Sequence, residues 1–176
     1  YGSDHPYIPP ILHNLASIYR HKGFYEDAEH LIKRALAMNE KLLGPDHPGT
    51  AMTLRELGKL FHQAMAYTES EQTFFRALSI QEASVGPEHP DVAVTLGMLS
   101  ELYRELGRYS DAEVVNRRSL AILQRAYGNE HPYFGVALNE LAAIFVAQGR
   151  FDDAEPLMKR ALQIIEQSAT NHSDYA

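Results

Sequence analysis

The sequence predicts an all-α fold in which four similar pairs of antiparallel helices follow one another as a solenoid. Three observations support this fold class. The dipeptide His-Pro recurs every 42 residues, at His5, His47, His89 and His131. Apolar residues between these dipeptides follow the spacing of one helical face. One helix pair of this size cannot bury its own apolar face, so consecutive copies are expected to stack.

The first helix of each pair is predicted from columns of leucine and aromatic residues. In the first copy, the i, i+3, i+4, i+7 spacing joins Leu12, Leu15, Ala16 and Tyr19. The columns recur as Leu54, Leu57 and Phe61, as Leu96, Leu99 and Tyr103, and as Leu138, Leu141 and Phe145. The proline of each His-Pro suits the first helical position, where a missing N–H costs little. A Pro-Pro pair follows in the first copy, so that helix is expected to be shorter and to begin near Pro10.

A turn and a second helix complete each copy. The turn has a glycine at Gly23, Gly107 and Gly149, as a residue with positive φ at a helix end would. The second copy has Met65 in this column and Ser70 in an alanine column, so its turn is expected to be less regular or longer in helix. Acidic residues then cluster in the first turn of the second helix, where they complement the helix dipole.

The predicted domain is a single array over residues 1–176, with repeats at about 5–46, 47–88, 89–130 and 131–171. Residues 1–4 resemble the linker that closes the third repeat, and residues 172–176 resemble the opening of a further repeat. We therefore expect the sequence to be a fragment of a longer array. Apolar surface is then expected to be open at one or both ends.

Composition narrows the class of partner. The formal net charge is −7, which argues against nucleic acid because phosphate binding requires a cationic surface. No apolar run approaches the roughly 18 residues of a membrane helix, and the first residues lack the features of a signal peptide. The sequence contains no cysteine, so disulfides and thiolate catalysis are excluded. We expect a cytoplasmic protein without membrane insertion.

The repeated histidines raise a metal hypothesis that their spacing disfavours. Ligand atoms of one site lie about 2 Å from the ion, whereas residues one repeat apart lie on the order of 10 Å apart. A role in the linker turns is therefore expected. His13 and His21 are too far apart along a helix to chelate one ion, and Glu26 with His30 is expected to be a surface pair. We predict no metal site.

Sequence motifs of catalysis are missing as well. There is no phosphate-binding glycine loop, dinucleotide fingerprint or His-Glu-x2-His motif. Carboxylates are numerous, but they recur with the repeat, as a solvated surface does. The sequence therefore predicts neither an enzyme nor a cofactor site.

The repeated motifs resemble a known family. The pattern Leu-x2-Leu-Ala-x2-Tyr, then Gly-x-Tyr-x2-Ala-Glu, then Arg-Ala-Leu resembles the tetratricopeptide repeat (TPR). The 42-residue period and the linker Leu-Gly-Pro-Asp-His-Pro at 43–48 are similar to the kinesin-light-chain-like subclass. The resemblance implies a right-handed superhelix and a scaffold or adaptor that binds a short extended peptide in its concave groove.

In arrays of this kind the first helix of each pair lines the groove. The matching positions vary between copies while the core columns repeat, as a binding surface permits and as a neutral solvated face would also show. These positions are His13, Asn14, Ser17 and Arg20; Arg55, Glu56, Lys59 and His62; Met98, Glu101, Arg104 and Glu105; and Asn139, Glu140, Ala143 and Val146.

The charges of these positions predict the polarity of a peptide ligand. The first two repeats are locally basic, through residues such as Arg20, Arg55 and Lys59, and the last two are acidic. We expect the acidic portion of a peptide over repeats one and two. An apolar anchor is expected on Met98, Ala143 and Val146.

One familiar ligand of such arrays is disfavoured. The clamp for chaperone C-terminal carboxylates combines lysine, asparagine and arginine at set positions of three repeats. The corresponding positions here are His13 and Ser17, Glu56, and Val94 and Met98, without a lysine.

Two rival functions remain at this point. The array could be structural and self-associate through uncapped repeat ends. It could also be the regulatory or sensor arm of a larger signalling protein, which only flanking sequence would reveal.

Overall fold

The computed structural model describes residues 5–173, and the side chains of residues 5–169. This part of the chain contains eight helices and no strand, which confirms the all-α class. The helices are α1 (Ile8–His21), α2 (Tyr25–Leu42), α3 (Pro48–Gln63), α4 (Tyr67–Ser84), α5 (Pro90–Glu105), α6 (Tyr109–Tyr127), α7 (Pro132–Ala147) and α8 (Phe151–Ser173). Each predicted repeat therefore contributes one helix pair.

The described residues divide into two compact units, with the boundary after Pro87. In the first unit α1 packs on α2, α2 on α3, and α3 on α4. In the second, α5 packs on α6, α6 on α7, and α7 on α8, with further contact between α5 and α7. Neighbouring helix pairs within a unit thus share a core, as stacked repeats require.

The predicted leucine columns form these cores. In the first unit Leu54, Leu57 and Leu60 are buried with Ile32 and Ile80. In the second unit Leu99, Leu102 and Ile144 are fully buried. Leu15 departs from its column because it is 37% exposed. Among the described helices none precedes α1, and Leu15 is less covered than Leu57, Leu99 and Leu141 of its column.

Three of the four repeated histidines, His47, His89 and His131, are N-caps of first helices. Nδ1 of His47 accepts a hydrogen bond from the backbone N–H of Gly49, at 3.0 Å, and His89 and His131 do the same two residues on, each at 3.2 Å. The following proline is the first residue of α3, α5 and α7, as predicted. Proline has no N–H, so the first backbone N–H that needs an acceptor belongs to the residue after it. The imidazole accepts the hydrogen bond of that N–H.

The start of the first helix was predicted wrongly. Helix α1 begins at Ile8, not near Pro10, and Tyr7 is its N-cap. Pro9 and Pro10 fall in the first turn, where N–H groups have no acceptor within the helix, so neither proline breaks a hydrogen bond. The helix is still shorter than its counterparts, at 14 residues against 16 in α3, α5 and α7.

The prediction of an irregular or longer helical turn at Met65 was also wrong. This turn is as regular as the corresponding turns of the other three repeats. Met65 adopts φ 59°, in the left-handed region that Gly23, Gly107 and Gly149 occupy in the other turns. The N–H of Ala66 donates to the carbonyl of Phe61 at 2.8 Å, and the other three turns contain the same bond. The turn geometry is therefore kept, and the strain falls on a single residue that has a Cβ.

Candidate functional site

The predicted groove residues of the first unit lie on α1 and α3. Asn14 is exposed, and the others are partly buried. Two of the cations are engaged locally. Lys59 Nζ lies 3.2 Å from Glu56 Oε1, and Arg20 Nη1 donates to Gln63 Oε1 at 3.0 Å. The second contact joins α1 to α3 through Gln63, which is not one of the predicted groove residues.

Two buried nitrogen atoms on this surface have no hydrogen-bond partner in the protein. They are Nε2 of His13 and Nε of Arg55. A buried polar atom without a partner is costly unless water or a ligand supplies one. Burial lowers the pKa of His13, against the raising effect of the Glu56 carboxylate. His13 is therefore harder to protonate than an ordinary histidine.

The predicted groove residues of the second unit lie on α5 and α7, which an ion pair connects. Arg104 Nε donates to Glu140 Oε1 at 2.9 Å. Burial raises the pKa of Glu140, and the charges of Glu101 and Glu105 add to this, outweighing the hydrogen bond and charge of Arg104. The carboxylates of Glu140, Glu101 and Glu105 therefore all act on the single guanidinium of Arg104.

A cavity of about 290 Å³ opens beside this ion pair. Helices α5, α6 and α7 all contribute to it. Its lining comprises Ala93, Val94, Gly97, Glu101, Asn116, Ser119, Leu123, Tyr133, Val136, Ala137 and Glu140. Only Glu101 and Glu140 among these belong to the predicted groove. The predicted apolar anchor of Met98, Ala143 and Val146 does not line this cavity.

The repeat alignment explains why the cavity exists and why the sequence reasoning missed it. Asn116 occupies the column of Ile32 and Phe74, and Gly97 occupies the column of His13 and Arg55. Both exchanges remove volume from the third repeat. A polar residue in an apolar column was the available signal, but Asn116 lies on a second helix, whereas the predicted groove residues all lie on first helices.

A second cavity of similar volume lies between α7 and α8. It is lined by Gly135, Val136, Asn139, Met158, Ala161, Leu162 and Ile165. Of the predicted residues it takes in only Asn139. Its walls are largely apolar, and Leu162 is 59% exposed.

A tetratricopeptide repeat family model matches residues 7–67, 62–125 and 115–167. The chain belongs to the tetratricopeptide repeat family. Three overlapping matches of this kind cover nearly all of the described residues, as the predicted resemblance requires. Membership of this family supports a general role as a scaffold for protein–protein interaction.

Several solved structures share the fold. BtubC (BKLC) from P. vanneervenii is 24% identical with a TM-score of 0.80, over 93% of this chain and 64% of that one. The nearly identical TPR-like repeats of a kinesin light chain candidate from Podosopora anserina are 24% identical with a TM-score of 0.75, over 96% and 80%. Apo RapI is 15% identical with a TM-score of 0.77, over 94% and 58%.

The TPR chain therefore spans about two thirds or less of two of these structures. None of the curated proteins compared with the chain matches it. Over the described residues, no helix is long and apolar enough to cross a membrane. In the same part of the chain, no three histidine, aspartate or glutamate side chains are grouped so as to hold a metal ion.

Proposed function

We propose that this TPR array is an adaptor, cytoplasmic and without catalytic activity of its own, that binds a short extended peptide along its first helices. The acidic portion of the peptide contacts α1 and α3, and a neutral or basic portion contacts α5 and α7. The observation that carries the proposal is the pair of buried, unpartnered nitrogen atoms on His13 and Arg55. Proteins seldom leave such atoms unsatisfied unless a ligand or water completes them.

The charges of the two surfaces support the polarity. On the first unit, carboxylates of a peptide would accept from Arg55 and compete with Glu56 for Lys59. On the second unit, three carboxylates surround the single guanidinium of Arg104. An acidic peptide segment placed there would lie next to like charges. Like charges juxtaposed in an interface cost on the order of several kcal/mol of binding free energy.

Binding to an array of acidic peptides, followed by titration of the strongest binder by fluorescence anisotropy, tests the proposal. The double variant Arg55→Glu/Lys59→Glu should weaken binding by about tenfold or more, since 1.4 kcal/mol corresponds to tenfold. The matched control is Lys33→Glu/Lys41→Glu, which makes the same change of net charge on the second helix α2. Equal losses in both variants would show a diffuse charge effect and refute the groove.

One observation favours self-association as a second candidate. Met158, Leu162 and Ile165 are exposed on α8, where they line the cavity between α7 and α8. An apolar patch of this kind is typical of an interaction surface. Light scattering across a concentration series separates the two functions, because a peptide adaptor keeps its mass while a self-associating array gains mass.

A further inference from the structure

The cavity between α5, α6 and α7 is lined by a buried asparagine, Asn116, whose side-chain amide has no partner. Asn116 is only 1% exposed, and neither its Nδ2 nor its Oδ1 has a hydrogen-bond partner. Leaving both ends of a buried amide unsatisfied destabilises the folded protein. Asn116 Nδ2 therefore needs a hydrogen-bond acceptor, and Asn116 Oδ1 needs a hydrogen-bond donor.

Three other buried polar side chains, by contrast, have a partner within the protein. Oγ of Ser119, which also lines the cavity, donates to the carbonyl of Ala93 at 2.9 Å. Oγ of Ser100 donates to the carbonyl of Ala112 at 3.3 Å. In the first unit, Asn39 Nδ2 donates to Thr53 Oγ1 at 2.8 Å. Among the residues that line the cavity, Asn116 is thus the one whose buried side-chain amide lacks a partner.

The walls and rim restrict what that occupant can be. Val94, Leu123 and Val136 offer apolar surface that suits a short aliphatic stem. Glu101 and Glu140 lie at the same cavity and disfavour a carboxylate. A volume of about 290 Å³ is at the lower end of the range for small-molecule sites, so one side chain fits better than a larger ligand.

We propose that this cavity binds the primary carboxamide of a glutamine side chain from the bound peptide. A carboxamide presents one acceptor oxygen and an NH2 donor side by side, so it meets both ends of the Asn116 amide at once. A carboxylate or ketone only accepts, and an ammonium or guanidinium only donates, so each leaves one end of Asn116 unsatisfied. The two methylenes of glutamine lie against the valine and leucine walls.

The proposal rests on the peptide-binding function, but its first test does not require a peptide. Propionamide is the side chain of glutamine without its backbone, and it is titrated into ¹⁵N-labelled protein while the side-chain NH2 resonances are followed. The Asn116 resonance, assigned by its loss in Asn116→Leu, should shift saturably with propionamide. Propionate and butanone, which are similar in size and only accept, should shift it at least about tenfold more weakly. Equal responses to all three compounds, or no response to propionamide, would overturn the proposal.

Two variants of Gly97 give a matched control for the cavity itself. A Cβ atom added at Gly97 meets nothing within 4 Å, so larger side chains have room to enter the cavity. Gly97→Leu should abolish the propionamide shift because it occupies the space above Asn116. Gly97→Ala adds one methyl group and should retain the shift. Loss in both variants, with unchanged spectra elsewhere, would contradict the proposed geometry.

A peptide then tests the link to function. Peptides from the acidic array are compared with glutamine, glutamate or leucine at each position in turn. One position should prefer glutamine by about tenfold in the native protein and lose that preference in Asn116→Leu. If propionamide binds and no position prefers glutamine, the cavity is not a peptide subsite and this inference fails, while charge-dependent binding to α1 and α3 stands. If no acidic peptide binds while propionamide does, the proposed function fails and the carboxamide site remains.

Discussion

The ring of Phe74 on α4 lies so close to Gly58 on α3 that a Cβ atom at Gly58 would come within 2.6 Å of the ring carbon Cε1. Phe74 is fully buried, so the ring has little room to retreat. In the third repeat the same two columns hold Ser100 and Asn116, and a cavity opens beside Asn116. One pair of columns thus builds a tight core in one repeat and a candidate site in another.

The first prediction concerns two helical glycines that should respond to alanine with opposite sign. Gly58→Ala should lower the free energy of unfolding by about 1–2 kcal/mol, because overpacking against Phe74 exceeds the gain in helix propensity. Gly97→Ala should raise it by about 0.5–1 kcal/mol, because its Cβ meets nothing within 4 Å. Urea denaturation of both variants measures the difference. A change of the same sign in both would show that the Phe74 contact does not control the outcome.

Met65 is the second point at which a single substitution is informative. Met65→Gly should stabilise the protein by about 1 kcal/mol. A left-handed conformation costs a residue with a Cβ roughly 1–2 kcal/mol, and glycine avoids this cost. Part of the gain is offset because glycine also raises the conformational entropy of the unfolded chain. The side chain is 74% exposed, so little packing is lost. Thermal and urea unfolding measure the effect.

Met65→Ala serves as the control for that prediction. Alanine removes the methionine side chain but keeps the Cβ and therefore the strain. If alanine stabilises as much as glycine, the backbone conformation is not the cause.

The N-cap role of the repeated histidines gives the third prediction. His47→Ala should cost about 1 kcal/mol of stability, because the N–H of Gly49 loses its acceptor at the start of α3. His47→Asn keeps a side-chain acceptor and should recover most of the loss. Measurement is by urea denaturation at neutral pH. An asparagine variant as unstable as the alanine variant would argue against capping.

The fourth prediction follows from the raised pKa of Glu140. A raised carboxyl pKa means that the folded state holds the proton more tightly. The free energy of unfolding should therefore fall as pH rises from the ordinary carboxyl value of 4.5 through the raised one. Glu140→Gln keeps an oxygen that accepts from Arg104 and removes the ionisation. Urea denaturation between pH 4 and pH 8 should show the variant gaining on the native protein as pH rises. Parallel profiles would contradict the assigned cause, which is burial of the carboxylate.

Most of the fold could be predicted from the sequence because each core position occurs in four equivalent copies, one in each repeat. Columns such as Leu54 and Phe61 fix the helical faces, and the histidines mark where first helices begin. The errors arose where one residue departs from its column. Pro9 predicts a later start of α1, but the first turn of a helix tolerates proline. Met65 predicts an altered turn, but the turn keeps the hydrogen bond of the other three turns.

The candidate site was less predictable, for a physical reason. The positions on α1, α3, α5 and α7 could be assigned by register, and the Arg104–Glu140 pair lies among them. The cavity forms because Gly97 on α5 and Asn116 on α6 are both smaller than their counterparts in the first two repeats. Whether two small residues leave a shared cavity depends on how the helices pack, which the sequence alone does not give. Whether the remaining register positions contact a ligand stays a prediction.

Chemical-shift mapping of the ¹⁵N-labelled chain with the strongest acidic peptide tests the central claim most directly. The account predicts saturable shifts of backbone amides on α1, α3, α5 and α7, which should be reduced in Arg55→Glu/Lys59→Glu and retained in Lys33→Glu/Lys41→Glu. Shifts confined to the exposed faces of α2, α4, α6 and α8 would contradict it.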